Sequence, residues 1–282
     1  MGERKSDERI SAVLSVLSQR GELQVRLLPG LLGVSGATVR RDLAVMEETG
    51  LIRRSYGKVT AARRGTELPV NLRLSQNAEA KRRIGALASS LIPSRPLVMA
   101  MSGGSTVGFV AGSLAARSDL TVVTNGLGTA TSLMTRKSVH VVVTGGNARS
   151  LSNDLVGSRA EKELRSYRFD YAVVGVDGIS PEFGFTRHST RGAEIDRIML
   201  EQADHTIVVA DSSKLGRVCQ AKIADIASVD TIVTDSHANA PMVAALRRMG
   251  VTTIPVVVPP QTEDRCFPPR EVPLSPSGPL EP

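Results

Sequence analysis

The stretch that decides the fold is Val34-Ser35-Gly36-Ala37-Thr38-Val39-Arg40-Arg41-Asp42-Leu43, which predicts a short capped helix. The Ser35 hydroxyl can accept a backbone N–H that the first turn of a helix leaves unpaired. At about 100° per residue, Val39, Leu43 and Met46 fall on one stripe. Such a stripe can pack inward against a small core. We therefore expect an amphipathic helix with Ser35 as its N-cap.

The outer face of this predicted helix carries positive charge. Arg41 lies nearly opposite the apolar stripe, with Thr38 and Arg40 on its flanks. Arginine can pair with two acceptor atoms of guanine in the major groove of DNA, or neutralise a backbone phosphate. The alternative is a solvated surface helix, which is the usual explanation of an isolated pair of arginines.

The neighbouring segments favour DNA binding. Glu8–Gln19 has the apolar spacing of a helix, and Val25–Leu32 is a second short apolar segment. Leu51–Thr60 predicts two strands around a glycine turn. Helix, helix, recognition helix and basic hairpin together make a winged helix-turn-helix. The predicted DNA contacts are Ser35, Thr38, Arg40 and Arg41 from the helix, and Arg53, Arg54, Tyr56 and Lys58 from the hairpin, or wing.

Composition and charge agree with this arrangement. The chain has 282 residues, of which 41% are hydrophobic, enough for one large domain plus a small one. Its net charge is +7, and residues 1–66 hold twelve Lys and Arg against seven Asp and Glu. A polyanion-binding unit carries its excess charge in this way. With 3% aromatic residues and no Trp, single-strand binding by base stacking is not expected.

The sequence also bears on location. No apolar run approaches the roughly 20 residues that span a bilayer, and the start of the chain does not resemble a secretory signal. Cys219 and Cys266 are far apart and lack metal-type spacing. We therefore expect a cytoplasmic protein without membrane association, disulfide framework or metal site.

The chain beyond the hairpin divides into three parts. Residues 61–75 resemble a linker, and from Glu79 short apolar strands alternate with helices. That alternation predicts a mostly parallel sheet covered on both faces. The predicted strands are Leu97–Met101, Leu120–Thr124, Val139–Thr144, Tyr171–Val176, Thr206–Ala210, Thr231–Thr234 and Val251–Val258. The predicted helices are Ser105–Ala116, Leu127–Arg136, Ser158–Ser166, Arg191–Gln202 and Pro241–Met249.

These patterns predict the following domain boundaries. Residues 1–60 form the winged helix-turn-helix, 61–75 a linker and 76–258 the α/β domain. Eight prolines fall within Pro259–Pro282, so residues 259–282 are expected to be a disordered tail.

Polar, glycine- or serine-bearing segments follow five of the predicted strands. In parallel α/β sheets, ligands bind at the carboxyl ends of strands, where glycines and free N–H groups can hold an anion. The shared edge therefore predicts a pocket for a phosphorylated, hydroxyl-rich ligand, although ordinary turns between strands and helices could give the same pattern. The five segments are Ser102–Thr106, Thr124–Gly126, Thr144–Asn147, Gly175–Gly178 and Asp211–Lys214.

Residues 7–60 resemble the DNA-binding domain of DeoR-family transcriptional regulators. The carrying motif is Val-Ser-x-x-Thr-Val-Arg-Arg-Asp-Leu at residues 34–43. The α/β part resembles the family's effector domain, which is similar in fold to ribose-5-phosphate isomerases, and the whole resemblance covers roughly residues 7–258. Its further matches are Asp7–Ile10, Gly50–Arg54, Val123–Gly126, Gly145-Gly146, Gly157, Phe169–Ala172, Gly184–Thr186, Glu194 and Ala210–Lys214.

The resemblance implies a repressor whose operator binding responds to a phosphorylated sugar or polyol, with no cofactor. Gly103–Thr106 would cradle the phosphate, and Lys214 would add positive charge. Winged-helix proteins usually bind DNA as dimers, so we expect a homo-oligomer, a dimer or tetramer. The implied effector set is Ser102, Gly103, Gly104, Ser105, Thr106, Asn125, Gly145, Gly146, Asp177, Glu194 and Lys214.

The chain departs from the family pattern at three places. Pro29-Gly30 replaces residues that favour a helix, so the second helix is expected to be short, to start late or to be kinked. The wing has Tyr56-Gly57-Lys58 where His-Gly-Gly is usual. Ser102 stands where many members have Asp, so the identity of the ligand does not carry over from a relative.

An enzyme remains the competing hypothesis. In a sugar-phosphate isomerase, Asp177 would be the base, with Lys214 or Glu194 as its acid–base partner. Against it, no Cys or His has a catalytic partner by motif, and a basic winged helix would have no task. His140, His188, His205 and His237 are each expected to be structural or solvated.

Overall fold

The computed structural model describes residues 6, 9–14, 16–17, 21–61, 67–136 and 138–259. Its strands and helices are numbered below in chain order. The strands are β1 (Glu22–Gln24), β2 (Ile52–Ser55), β3 (Lys58–Ala61), β4 (Leu97–Met101), β5 (Leu120–Thr124), β6 (His140–Val143), β7 (Asn147–Arg149), β8 (Asp154–Val156), β9 (Phe169–Gly175), β10 (Gly178–Ser180), β11 (Gly184–Arg187), β12 (Ala203–Val209), β13 (Ala221–Ala224), β14 (Thr231–Asp235) and β15 (Thr252–Val256).

Residues 9–14 and 16–17 are helical as well. The helices after them are α1 (Leu28–Leu32), α2 (Gly36–Glu48), α3 (Val70–Ser75), α4 (Ala78–Ser90), α5 (Ser105–Leu114), α6 (Leu127–Met134), α7 (Ser158–Arg165), α8 (Thr190–Glu201) and α9 (Ala240–Arg248).

The N-terminal part is a small helical unit with a three-stranded sheet in the order β1-β3-β2. Val39, Leu43 and Met46 are buried in its core, as the apolar stripe predicts. The side chain of Ser35 accepts the backbone N–H of Thr38, which confirms the predicted cap. Strand β1, which the sequence pattern does not predict, pairs with the wing strand β3.

The second helix is short and starts late, and Pro29 gives the reason. Val25–Leu27 forms a 3-10 turn, and α1 begins only at Leu28, so that Pro29 lies in the first turn. Proline is tolerated there because those N–H groups have no partner within the helix. Gly33 ends α1 in the left-handed region, at φ 62°.

The larger part is built on a seven-stranded sheet in the order β15-β14-β12-β9-β4-β5-β6, with every neighbouring pair parallel. Helices α4, α5 and α6 contribute to the core on one face, and α7, α8 and α9 to the core on the other. The central strands are mostly apolar, because their carboxyl halves are buried on both faces. The predicted α/β class is confirmed, and the bounds predicted for β4 and β5 match the structure to the residue.

Two smaller sheets lie outside this layer. Strands β7 and β8 form a hairpin, and β10, β11 and β13 form an antiparallel sheet. The sequence pattern predicts neither sheet and does not predict α4, because their apolar residues are few or irregularly spaced.

A strap, defined as residues 67–77, connects the two parts. It contains α3 and ends where α4 begins. Leu68 and Leu72 pack with the core of the N-terminal unit, while α3 also packs on α5 of the larger part. The predicted tail beyond residue 259 lies outside the described residues, and within the described part no helix is long and apolar enough to cross a membrane.

Candidate functional site

The predicted DNA-contacting residues of α2 lie on its outer face. Arg40 and Arg41 are exposed, and Thr38 is half-buried beside them. Arg40 donates from Nε to the carbonyl of Gly36 in its own helix, at 3.2 Å. Arg41 forms no ion pair with any residue that the structure describes. The helix therefore presents two guanidinium groups that form no ion pair with a carboxylate of the described residues.

The position of α2 is fixed from behind by a buried ion pair. Asp42 is 5% exposed and points away from the outer face. Arg9 donates from Nε and Nη2 to its two carboxylate oxygens, at 2.6 and 3.0 Å. Bidentate pairs of this kind add geometric precision as well as energy. The first helical segment and α2 are thereby held in one orientation.

The wing is a hairpin with a two-residue turn, and its tip projects into solvent. Tyr56 and Gly57 both have positive φ, 45° and 75°, as a tight hairpin turn requires. The side chain of Tyr56 is fully exposed, and Arg53 is exposed beside it. Lys58 pairs with Glu22 at 2.8 Å, and Arg54 approaches Glu47 at 3.7 Å. Arg53 and Tyr56 are therefore the least engaged of the predicted wing contacts.

The predicted anion loop, residues 102–106, follows β4 and is closed over. Ser102, Ser105 and Thr106 are all less than a tenth exposed. The Ser102 hydroxyl accepts the backbone N–H of Gly175 at 3.0 Å, which ties the loop to the end of β9. Helix α5 begins at the loop, and Gly104, at φ 121°, supplies no side-chain cap.

Two glycines let neighbouring loops approach each other closely. A Cβ on Gly126 would lie 2.6 Å from Cα of Gly103, and a Cβ on Gly103 would lie 1.6 Å from Oδ1 of Asp154. Neither position has room for a side chain. The ends of β4 and β5 and the β7–β8 hairpin therefore meet at the anion loop.

A buried ion cluster lies against this loop. Arg187 donates from Nη2 to the carbonyl of Gly103 at 3.4 Å. Its Nε is 3.0 Å from Oδ2 of Asp196, and its Nη1 is 3.5 Å from Oδ2 of Asp154. Burial raises the pKa of Asp154 and Asp196 against the attraction of Arg187. Removing Arg187 would leave two buried carboxyl groups without their cation.

Asp177, at the end of β9, extends the cluster. Its Oδ1 is 3.6 Å from Nη1 of Arg73, and its Oδ2 accepts the backbone N–H of His188. Burial opposes ionisation, but the positive charges of Arg187 and Arg73, with smaller contributions from His188 and Lys214, lower the pKa of Asp177. An ionised carboxylate can accept hydrogen bonds from ligand hydroxyl groups.

The end of β12 carries a second buried pair. Lys81 lies 3.8 Å from Asp211, and both side chains are almost fully buried. Burial lowers the pKa of Lys81 to about 8 although Asp211 attracts its proton. Burial raises the pKa of Asp211, but the nearby charges of Lys214 and Lys81 lower it by more. The net change is a decrease in the pKa of Asp211. Lys214 therefore lies within electrostatic reach of both Asp177 and Asp211.

An open cleft of about 870 Å³ borders this end of the sheet. Asn77, Glu182, Ser212, Ser213 and His237 are among its lining residues, and no residue of the anion loop lines it. The carboxyl edge thus has a closed half, at the anion loop, and an open half, beside Asp211–Lys214.

The structure does not bring together every predicted effector residue. Glu194 pairs with Arg165 and Arg197 on the surface of α8, whereas Asp196, two residues on, faces the buried cluster. Residues two apart on a helix point in different directions. Gly145 and Gly146 are exposed, and Gly146 packs against β8. The amide of Asn125 donates to the carbonyl of Leu155, so its Nδ2 holds the β7–β8 hairpin.

Sequence reasoning missed the main charged partners. Asp154, Arg187 and Asp196 lie on β8, β11 and α8, which only the fold brings together. Arg73 falls in the stretch that resembles a linker, and Lys81 lies in α4, which the sequence pattern does not predict. A possible signal was Arg187, which directly follows the matching segment Gly184–Thr186.

Two comparisons with family models cover most of the chain. Residues 9–64 match the DeoR-like helix-turn-helix domain, and residues 76–236 match the DeoR C-terminal sensor domain. The second match alone spans more than half of the chain. A ribose 5-phosphate isomerase A from Methanocaldococcus jannaschii aligns with 50% of this chain and with 55% of its own chain, at 18% identity and a TM-score of 0.37.

Curated relatives match over nearly their whole length. The HTH-type transcriptional repressor GlcR of Bacillus subtilis (strain 168) is 34% identical over 253 residues, 87% of this chain and 94% of the relative. The glycerol-3-phosphate regulon repressor of Escherichia coli (strain K12) is 27% identical over 232 residues, 82% of this chain and 92% of the relative. These matches therefore identify the chain as a transcriptional regulator and not as an isomerase. The chain belongs to the DeoR family of transcriptional regulators.

Proposed function

We propose that this chain represses genes of sugar or polyol metabolism, and that a phosphorylated metabolite bound at the carboxyl edge of its sheet releases it from the operator. The observation that carries the proposal is the outward face of α2, where Arg40 and Arg41 pair with no carboxylate of the described residues and the helix is capped by Ser35. Such a face suits the major groove.

In this proposal the predicted DNA contacts divide into two groups. Ser35, Thr38, Arg40 and Arg41 read base edges or the nearest phosphates from α2. Arg53, Arg54, Tyr56 and Lys58 steady the wing on the backbone, with Arg54 and Lys58 exchanging their present acidic partners for phosphates. Phosphate contacts fix position, whereas base contacts give specificity.

The effector site is proposed around the anion loop. Backbone N–H groups at the start of α5, with Ser105 and Thr106, would hold a phosphoryl group, helped by the helix dipole. Ser102 would order the loop, and Asp177 would accept ligand hydroxyl groups. Lys214 adds positive charge at the open half of the edge. Asn125, Gly145 and Gly146 shape the neighbouring loops, and Glu194 drops out of the contact set because of its surface pairs.

Several finer features belong to the same proposal. The domain boundaries are 1–60, 61–75, 76–258 and 259–282. We propose a dimer or tetramer, because winged-helix proteins bind paired half-sites. A chromosomal operator places the protein in the cytoplasm.

A thermal-shift screen identifies the effector class. Its compounds are sugar phosphates and polyol phosphates, including glycerol 3-phosphate, each paired with its unphosphorylated parent. A ligand that binds only the native state raises the free energy of unfolding, by about 2.7 kcal/mol at a concentration one hundred times its Kd, and Tm rises with it. We expect shifts from phosphorylated compounds only. An equal response to the unphosphorylated parents would contradict the phosphate assignment.

The variant Ser105→Ala/Thr106→Ala tests the anion loop. It should abolish the effect of the screened ligand on DNA binding and retain DNA binding itself, measured by fluorescence anisotropy on DNA from upstream of the chain's own gene. The matched control is Thr131→Ala/Ser132→Ala, whose hydroxyls donate to carbonyls of α6. If the loop variant still responds as the control does, the phosphate site is misassigned.

A further inference from the structure

Arg73 is a largely buried cation with unused hydrogen-bonding capacity. Its side chain is 11% exposed, and its ion-pair contact to Asp177 is long, at 3.6 Å. Its Nε and Nη2 are buried and hydrogen-bond to no residue that the structure describes. Leaving donors of a charged group unpaired in the interior is costly. A guanidinium edge with free donors matches a phosphoryl group, which accepts two parallel hydrogen bonds.

The strap holds Arg73 beside the anion loop. Helix α3 packs on α5, the helix that begins at the loop. The charge of Arg73 also acts on Asp154, whose carboxylate lies against Gly103. An anion that reaches the loop therefore comes within reach of Arg73 as well.

The strap is fastened to the larger domain on both sides of Arg73. Glu67 pairs with Arg149, and the backbone N–H of Val70 donates to the carbonyl of Leu151 at 2.7 Å. Lys81 donates to the carbonyl of Arg73 itself. A shift of the strap backbone at Arg73 would therefore change these contacts with the larger domain.

The residue before Arg73 belongs to the other domain's core. Leu72 is 2% exposed and packs in the cluster that contains Ile10, Leu43 and Met46. Leu43 and Met46 are the apolar stripe of α2, whose outer face carries Arg40 and Arg41. Adjacent residues of one short helix thus contact the core behind the DNA-facing helix and the charged group beside the anion loop.

We infer that Arg73 is a ligand-contacting residue and that the strap transmits effector binding to the DNA-binding domain. A phosphoryl group at the anion loop takes the free Nε and Nη2 donors of Arg73 and draws the guanidinium from Asp177. The shift of α3 moves Leu72 within the core behind α2. This inference rests on the proposed function, because it needs an anionic effector at residues 102–106.

Burial of the loop supports this coupling. Ser105 and Thr106 are closed over in the present structure, and α3 packs on the helix that they begin. A ligand can reach their hydroxyls only if the covering elements shift. Effector binding and strap movement are then one event, which is what a coupling free energy between two sites requires.

Hydrogen–deuterium exchange of the full chain tests the inference without knowledge of the operator. The probes are inorganic phosphate and glycerol 3-phosphate, each titrated to saturation. We expect slower exchange in peptides covering 101–108, together with changed exchange in 67–77 and in 22–61. Protection confined to 101–108 would overturn the inference and leave the proposed function standing. No protection of 101–108 by either probe would remove both.

Variants at the strap identify the contact. Arg73→Met should raise the phosphate concentration that protects peptide 101–108 from exchange by ~tenfold or more. It should also abolish the change in exchange in 22–61. Arg73→Lys keeps the positive charge but loses the paired donors of the guanidinium, so its response should fall between those of wild type and Arg73→Met. The control Arg82→Met removes an exposed arginine that pairs with Glu79 and should respond like wild type. A normal response of Arg73→Met in both regions would overturn the inference, and the wild-type experiment decides it if that variant does not fold.

Discussion

The recognition helix and the carboxyl edge of the sheet use arginine in opposite ways. On α2, Arg40 and Arg41 are exposed and have no carboxylate partner among the described residues. At the sheet edge, Arg187 is 4% exposed and lies between Asp154 and Asp196. An exposed guanidinium costs little to leave unpaired, whereas a buried one must be compensated. The first region keeps its charge available for a polyanion, and the second uses charge to hold loops in register.

That difference separates function from stability in the two regions. Substitution on the outer face of α2 should affect DNA binding and leave folding alone. Substitution in the buried cluster should affect folding first, and ligand binding as a consequence. Arg73 lies between these extremes, since it is buried but incompletely partnered.

The largest expected effect is that of Arg187→Met. Removing the cation leaves the carboxyl groups of Asp154 and Asp196 buried without compensation, which should lower the free energy of unfolding by about 3–5 kcal/mol. Urea denaturation measures the change. The control is Arg168→Met, which breaks the exposed Arg168–Asp204 pair and should cost about 1 kcal/mol or less. Equal losses in the two variants would contradict the distinction between buried and exposed charge.

Arg41→Ala should show the reverse behaviour. Loss of a base or phosphate contact should weaken specific DNA binding by about 1–3 kcal/mol, or roughly fivefold to 150-fold. Unfolding and metabolite binding should be unchanged, because the side chain is exposed. Anisotropy titrations with specific and scrambled DNA measure the effect. Wild-type affinity for the specific fragment would exclude Arg41 from the interface.

Gly126→Ala should disturb the anion loop, because the added methyl group would press on the backbone of that loop. Its Cβ would lie 2.6 Å from Cα of Gly103, so one loop must move, at a cost of roughly 1–3 kcal/mol. We expect weaker binding of the screened phosphate compound by calorimetry. Gly128→Ala is the control, since a Cβ there meets nothing within 4 Å of the described structure. Similar affinities in the two variants would count against a ligand site at this loop.

The smallest expected effect is a pH dependence that arises from Asp177. Its folded pKa is lower than the unfolded value of 3.8, because Arg187 and Arg73 outweigh the effect of burial. The unfolded state therefore binds its proton first as pH falls. The stabilisation is fully present above the unfolded value and is lost as pH falls through the folded one. Asp177→Asn should flatten this part of the stability curve, and an unchanged curve would show that the group is not stabilised by its neighbours.

Much of the fold was predictable because local signals agree with it. The Ser35 cap, the stripe of α2 and the bounds of β4 and β5 follow from residue spacing alone. Pro29 also predicted that α1 would be short, start late or be kinked, and α1 is short and starts late. These elements depend on periodicity and capping, which neighbouring residues determine.

The buried cluster was not predictable, because it does not depend on residues that are neighbours in the sequence. Arg187 meets Asp154 and Asp196 only after three separate elements pack together. The family resemblance implied Glu194 and not Asp196, and the sequence does not show which residues of α8 face inward at the loop. Arg73 was hidden in an apparent linker, where a short helix forms through contacts with both domains. Charged partners in the interior are therefore a property of the tertiary structure.

Thermodynamic reciprocity between the two sites tests the central claim most directly. If a phosphorylated metabolite weakens operator binding by some factor, operator DNA must weaken metabolite binding by the same factor, typically about 5–150-fold. The measurement is the Kd of the screened phosphate compound by calorimetry, for the full chain with and without saturating operator DNA. The account predicts a weaker Kd in the presence of DNA. An identical Kd in both states would show that the sensor and the DNA-binding domain are not coupled.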